Sequence, residues 1–185
     1  IDWSKVTGFE RIQGGGYSTH VFTDNVAATG ITLTVDFNHY AESAQLDFSA
    51  ETDAFLDITG SDPGYGYTPQ DLIYGGSLSD IIKSLGGNDT VFGLGGNDDL
   101  QLGDGDDVAT GGTGDDLITG GAGRDIAIFS GNKDQYLINE IAYATYTVSH
   151  LNGGVDGTDT VSGVEILRFA DQDLDITPAG QDLTG

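Results

Sequence analysis

A chain of 185 residues and 19.2 kDa has the length of one domain and enough material for a buried core. Six Lys and Arg stand against 30 Asp and Glu, a formal net charge of −24, and there is no Cys. That balance excludes a nucleic-acid binder working through a basic face, electrostatic docking on anionic lipid, disulfides and thiolate metal sites, and no apolar run reaches the ~18 residues of a membrane span.

The first expected element is a β-rich N-terminal portion, residues 1–61. Apolar residues alternate at Ile31, Leu33, Val35 and Phe37, then at Leu46 and Phe48, and recur at Phe55 and Ile58, the period of short half-buried strands. Trp3, Phe9 and Ile12 form an earlier apolar set. Asp62-Pro63-Gly64 and Pro69 then interrupt the pattern.

A repeat follows. Aspartate recurs every nine residues without a gap at Asp53, Asp62, Asp71, Asp80, Asp89, Asp98, Asp107, Asp116, Asp125 and Asp134. Two places after it stands an apolar residue: Ile73, Ile82, Val91, Leu100, Ala109, Ile118, Ala127, Tyr136. Two places before it, through the middle of the array, stands Gly87, Gly96, Gly105, Gly114 or Gly123. A Gly/Asp-rich flexible linker does not hold such a phase. Glycine serves where the backbone takes φ > 0 or passes close to an ion. Carboxylate and carbonyl oxygens are hard ligands suited to Ca²⁺. The three residues after each turn can form one rung of a stacked parallel sheet, with the apolar one inward and its neighbours outward.

The units GGTGDDLIT (111–119) and GGAGRDIAI (120–128), with the more degraded GLGGNDDLQ (93–101) and LGDGDDVAT (102–110), resemble the nonapeptide array of the RTX (repeats-in-toxin) family of bacterial secreted proteins. The resemblance implies an all-β fold: a calcium-binding parallel β-roll over 62–134, flanked by the N-terminal β-rich portion and a C-terminal β cap over 135–185, next to a type I secretion signal. In such rolls two nonapeptides make one coil, and ions bind between turns 18 residues apart. One edge is then expected to carry Asp80, Asp98 and Asp116, extended by Asp134, and the other Asp89, Asp107 and Asp125, extended by Asp71. Asn88, Asn97, Asp106 and Asp115 add side-chain oxygens, and the carbonyls of Gly93, Gly95, Gly111 and Gly120 supply further ligands. About four to six Ca²⁺ ions are implied. Arg124, a cation in the last unit, is expected to weaken or end its edge.

The C-terminal flank has strand-like runs at Tyr136–Ile141 and Ala144–His150, a turn at Asn152–Gly154, and a strand or strand-turn over Val161–Phe169. A solenoid needs such a cap to cover its last rung. Asp156 and Asp159 in DGTDT, with Glu165, offer a further ion position. VTGFERI (6–12) echoes VSGVEIL (161–167).

No H-E-x-x-H, nucleophile elbow or phosphate-binding loop is present, and His20, His39 and His150 are isolated, so no enzyme is expected. The start at Ile1 reads as a piece of a longer chain. The resemblance implies a calcium-dependent folding module of a large secreted or cell-surface bacterial protein, most simply a repeat adhesin, exported by type I secretion machinery. Two alternatives stand beside it. One is a module binding a glycan, a peptide or a neighbouring module, with Tyr65, Tyr67 and Tyr74 as candidates. The other is the accessory domain of a secreted enzyme.

Overall fold

The computed structural model describes residues 9–14, 17–22, 32–36, 43–61 and 68–178, with side chains from residue 32 onward. Trp3, Asp62, Tyr65 and Tyr67 lie outside the described residues, as do the side chains of Phe9 and Ile12. The strands are β1 (Phe9–Gly14), β2 (Tyr17–Phe22), β3 (Thr32–Asp36), β4 (Ala44–Asp47), β5 (Phe55–Thr59), β6 (Leu72–Tyr74), β7 (Ile81–Gly86), β8 (Thr90–Gly95), β9 (Asp99–Asp104), β10 (Val108–Thr113), β11 (Leu117–Ala122), β12 (Ile126–Ile128), β13 (Tyr136–Ala142), β14 (Thr145–His150), β15 (Thr158–Ser162), β16 (Ile166–Arg168) and β17 (Asp173–Asp175).

From β3 to β12 successive strands alternate between two sheets. One runs β1-β2-β4-β6-β8-β10-β12-β16-β17 and the other β3-β5-β7-β9-β11-β15-β14-β13. Pairing is parallel through the middle of both sheets and antiparallel at β1/β2, β13/β14, β14/β15 and β16/β17. This is an all-β parallel roll. The N-terminal strands run straight into it, because β4 pairs with β6 and β5 with β7.

The apolar residue of each unit makes the core. In one sheet Leu46, Ile73, Val91, Ala109, Ala127 and Leu167 stand in a single register column. In the other the column is Val35, Ile58, Ile82, Leu100, Ile118 and Val161. All twelve are buried, and the two columns face each other. On the outer face Tyr74 stacks on Phe92, ring centroids 4.7 Å apart.

The strands are longer than three residues, since β7 to β11 each have six. The ladder runs on into the opening residues of the next turn, where Leu94 pairs with Gly112 and Leu85 with Gly103. Leu85 and Leu94 both have φ of 79°, while Gly103 and Gly112 at the same place have 109° and 113°. For a leucine that conformation costs roughly 1–2 kcal/mol. Removing its half-buried side chain and loosening the unfolded chain cost about as much. Leu94→Gly should therefore stay within about 1 kcal/mol of wild type, whereas Leu100→Ala, opening a hole in the core column, should cost about 3 kcal/mol. Urea denaturation of both variants at fixed calcium checks the contrast.

After β12 the chain leaves the roll. A 3-10 turn at Lys133–Gln135 leads into the antiparallel hairpin β13–β14, and β15 then returns to pair with β11. The excursion is pinned at its base. Asp156 accepts from the Ser130 N–H (2.9 Å), the Ser130 hydroxyl (2.7 Å) and the Tyr136 hydroxyl, and His150 Nδ1 lies 3.8 Å away. Phe129, Tyr136 and Phe169 pack together over this end of the core.

Candidate metal centre

From Asp89 to Asp125 each repeat aspartate braces the turn 18 residues before it. The Asp80 N–H donates to Asp98 Oδ1 at 2.8 Å, and the Asp98 N–H to Asp116 Oδ1 at 2.9 Å. On the other edge the N–H groups of Asp71, Asp89 and Asp107 donate to Oδ1 of Asp89, Asp107 and Asp125 at 2.7, 2.8 and 3.0 Å. The 18-residue stacking on two edges is therefore a hydrogen-bonded fact of the fold. Toward the N-terminus backbone groups take over. Leu56 N–H donates to Asp80 Oδ1, and Ala44 N–H to Asp71 Oδ1.

These seven aspartates are at most 2% exposed. In Asp89, Asp98, Asp107, Asp116 and Asp125 the second oxygen, Oδ2, is buried with no hydrogen-bond partner. Burial pushes the carboxyls up from their ordinary value: Asp80 and Asp107 to about 6, Asp89 and Asp125 to about 7, Asp98 to about 8, with Asp71 and Asp116 raised as well. Stacked neighbours add repulsion, as Asp116 and Asp80 do on Asp98. Unpartnered buried carboxylate oxygens are costly unless a cation satisfies them.

The surroundings suit a hard cation. Asp98 Oδ2 and the Gly111 carbonyl converge over the Cα of Gly93, where a Cβ would fill the space between them. The same pairing recurs over Gly75, with Asp80 Oδ2 and Gly93 O, and over Gly60, with Asp71 Oδ2 and Ser84 O. Among the described residues no three His, Cys, Asp or Glu side chains converge on one point. The donor set is thus paired carboxylates with backbone carbonyls, an oxygen-only set that fits Ca²⁺ and not a thiolate- or imidazole-seeking metal.

Residues 74–109 and 102–135 match the family of the RTX calcium-binding nonapeptide repeat, four copies. The RTX repeats lie within residues 74–135. No curated protein matches it. The RTX match spans most of the expected sites, and the structure refines how they are used. Asp134 does not extend its edge: it is exposed in the 3-10 turn after the chain has left the roll, and the next acceptor beyond Asp116 is Asp159 Oδ1. Asn88, Asn97, Asp106 and Asp115 sit at the exposed or half-exposed rim of the RTX turns. Their Oδ1 atoms accept the N–H groups of Asp106, Asp115, Arg124 and Thr158, so they tie turn to turn. Gly95 donates its N–H to Gly76 O, and Gly120 faces Asp125 Oδ2 and Gly163 O. Arg124 does not end its edge, because the Asp125 N–H goes on to donate to Glu165 Oε2 at 2.8 Å. Asp156, Asp159 and Glu165 do not converge, since Asp156 serves Ser130 and Tyr136 while the other two join opposite edges.

Proposed function

We propose that this chain is a calcium-coupled folding module of a secreted bacterial protein. The observation that carries the reading is the set of paired, buried aspartates in which five, Asp89, Asp98, Asp107, Asp116 and Asp125, keep a second oxygen with no hydrogen-bond partner. Without metal, a net charge of −24 and the desolvated carboxylates oppose closure of the roll. An ion that binds only the folded form adds its binding free energy to stability. Calcium thus takes the place that disulfides hold in many secreted domains, which fits a chain without Cys. In this proposal the chain stays unfolded in calcium-poor cytosol, leaves through type I secretion machinery, and folds on meeting external calcium as part of a surface adhesin.

Circular dichroism tests the coupling. Chelator at neutral pH should remove most of the β signal, and millimolar calcium should restore it. A β signal indifferent to chelator sinks the proposal.

A further inference from the structure

The RTX match stops at residue 135, yet both ladders of acceptors run past it. The Asp116 N–H donates to Asp159 Oδ1 at 2.9 Å, 43 residues on instead of 18, and Asp125 reaches Glu165 40 residues on. The rest of the turn architecture follows. The Thr158 N–H donates to Asp115 Oδ1 just as the Asp115 N–H donates to Asn97 Oδ1. Gly157, with φ of 72°, lies over Gly114 O as Gly114 lies over Gly96 O. Thr160 N–H donates to Asp116 O as Leu117 N–H does to Asp98 O. GVDGTD (154–159) therefore stacks as a further turn, out of the nine-residue phase but with Gly157 two places before Asp159 and Val161 two places after it, as in the repeats.

Two observations point to a ligand at these turns. Asp116 Oδ2 and Asp125 Oδ2 are buried and unpartnered, on side chains at most 2% exposed. Asp116 Oδ2 lies against Gly111, and Gly111, Val155 and Asp159 line one cavity of about 220 Å³. On the other edge Asp125 Oδ2 and the Gly163 carbonyl meet over Gly120, repeating the arrangement of Asp98 Oδ2 and Gly111 O over Gly93. We propose that the C-terminal segment closes two terminal calcium sites, one on Asp116 and Asp159 and one on Asp125, Glu165 and the Gly163 carbonyl. Calcium then ties the cap to the array across the excursion that carries β13 and β14. The inference rests on the calcium reading above and adds where the array ends.

The test is calcium titration into the whole chain by calorimetry, with the ion number read by mass spectrometry under native conditions. Asp159→Asn and Glu165→Gln should each bind one ion fewer than wild type and keep the β circular dichroism of the array. Amide exchange should speed up across 158–168 at a calcium concentration that still protects β7 to β11. Tyr136→Phe, which removes the hydroxyl that bonds Asp156 and the Gly131 N–H at the base of the excursion and leaves every proposed ligand in place, should keep the wild-type ion number. An unchanged ion number in Asp159→Asn and Glu165→Gln overturns the assignment, and so does the same loss in Tyr136→Phe. A wild-type chain that binds no calcium overturns the folding-module reading instead.

Discussion

Gly105→Ala should destabilise the calcium-loaded chain by at least about 3 kcal/mol. Gly105 has φ of 139°, and a Cβ there would overlap Gly87 O, the carbonyl of the turn stacked beneath it. The obstacle is backbone, held by the Gly87 N–H bond to Asp104 O at 2.8 Å, so it cannot swing aside as a side chain would. The layer above is as tight, because Gly123 stands over Gly105 O in the same way. Relief on one side therefore compresses the other. Gly153→Ala is the control. Its φ is 70°, also left-handed, but nothing lies within 4 Å of the added carbon. It should cost only about 1 kcal/mol. Urea denaturation of both variants at saturating calcium separates the stacking clash from the dihedral penalty. Equal, small losses in the two would mean that the turns are not stacked this closely.

The repeat was legible because the stacking is strict. A nine-residue phase places every second aspartate on one edge, and the hydrogen bonds between residues 18 apart obey that phase from Asp71 to Asp125. The alternating runs around Val35, Leu46 and Ile58 marked β3, β4 and β5 for the same reason. Phase alone misleads at the ends. Asp134 keeps the count, but the chain has already turned away, with Gly131 N–H bonded to the Tyr136 hydroxyl. Asp159 and Glu165 break the count and still occupy rungs. A one-dimensional period cannot register an excursion that leaves and returns to the same column. At the other end Leu56 and Ala44 bond Asp80 and Asp71 through backbone N–H groups, which any residue type carries, and the side-chain signal comes down to Ser61, whose hydroxyl also donates to Asp71 Oδ1. The role of Asn88 and Asn97 was ambiguous for a chemical reason. An amide oxygen at a turn serves a cation or a backbone N–H equally well, and here it accepts an N–H.

Acid and calcium should act in opposite senses on this chain. The carboxyls of Asp80 and Asp107 are raised to about 6, Asp89 and Asp125 to about 7, and Asp98 and Asp159 to about 8, chiefly by burial and, in all of them but Asp80, also by repulsion from neighbouring acids. The unfolded chain binds these protons only near the ordinary carboxylate value, about 4. Between about pH 8 and pH 4 the folded, metal-free roll therefore holds more protons than the unfolded chain, and its stability rises as pH falls. The gain is complete below the unfolded value and is lost as pH rises through the folded ones. Exhaustively decalcified protein should accordingly regain β circular dichroism between about pH 8 and pH 5, a range in which exposed carboxylates remain ionised. That range assigns the recovery to the buried column and not to the overall charge. Calcium needs the same oxygens deprotonated, so its apparent affinity should fall over the same interval. A metal-free β signal that stays flat or declines from pH 8 to pH 5 would show that desolvated carboxylates are not what keeps the empty roll open.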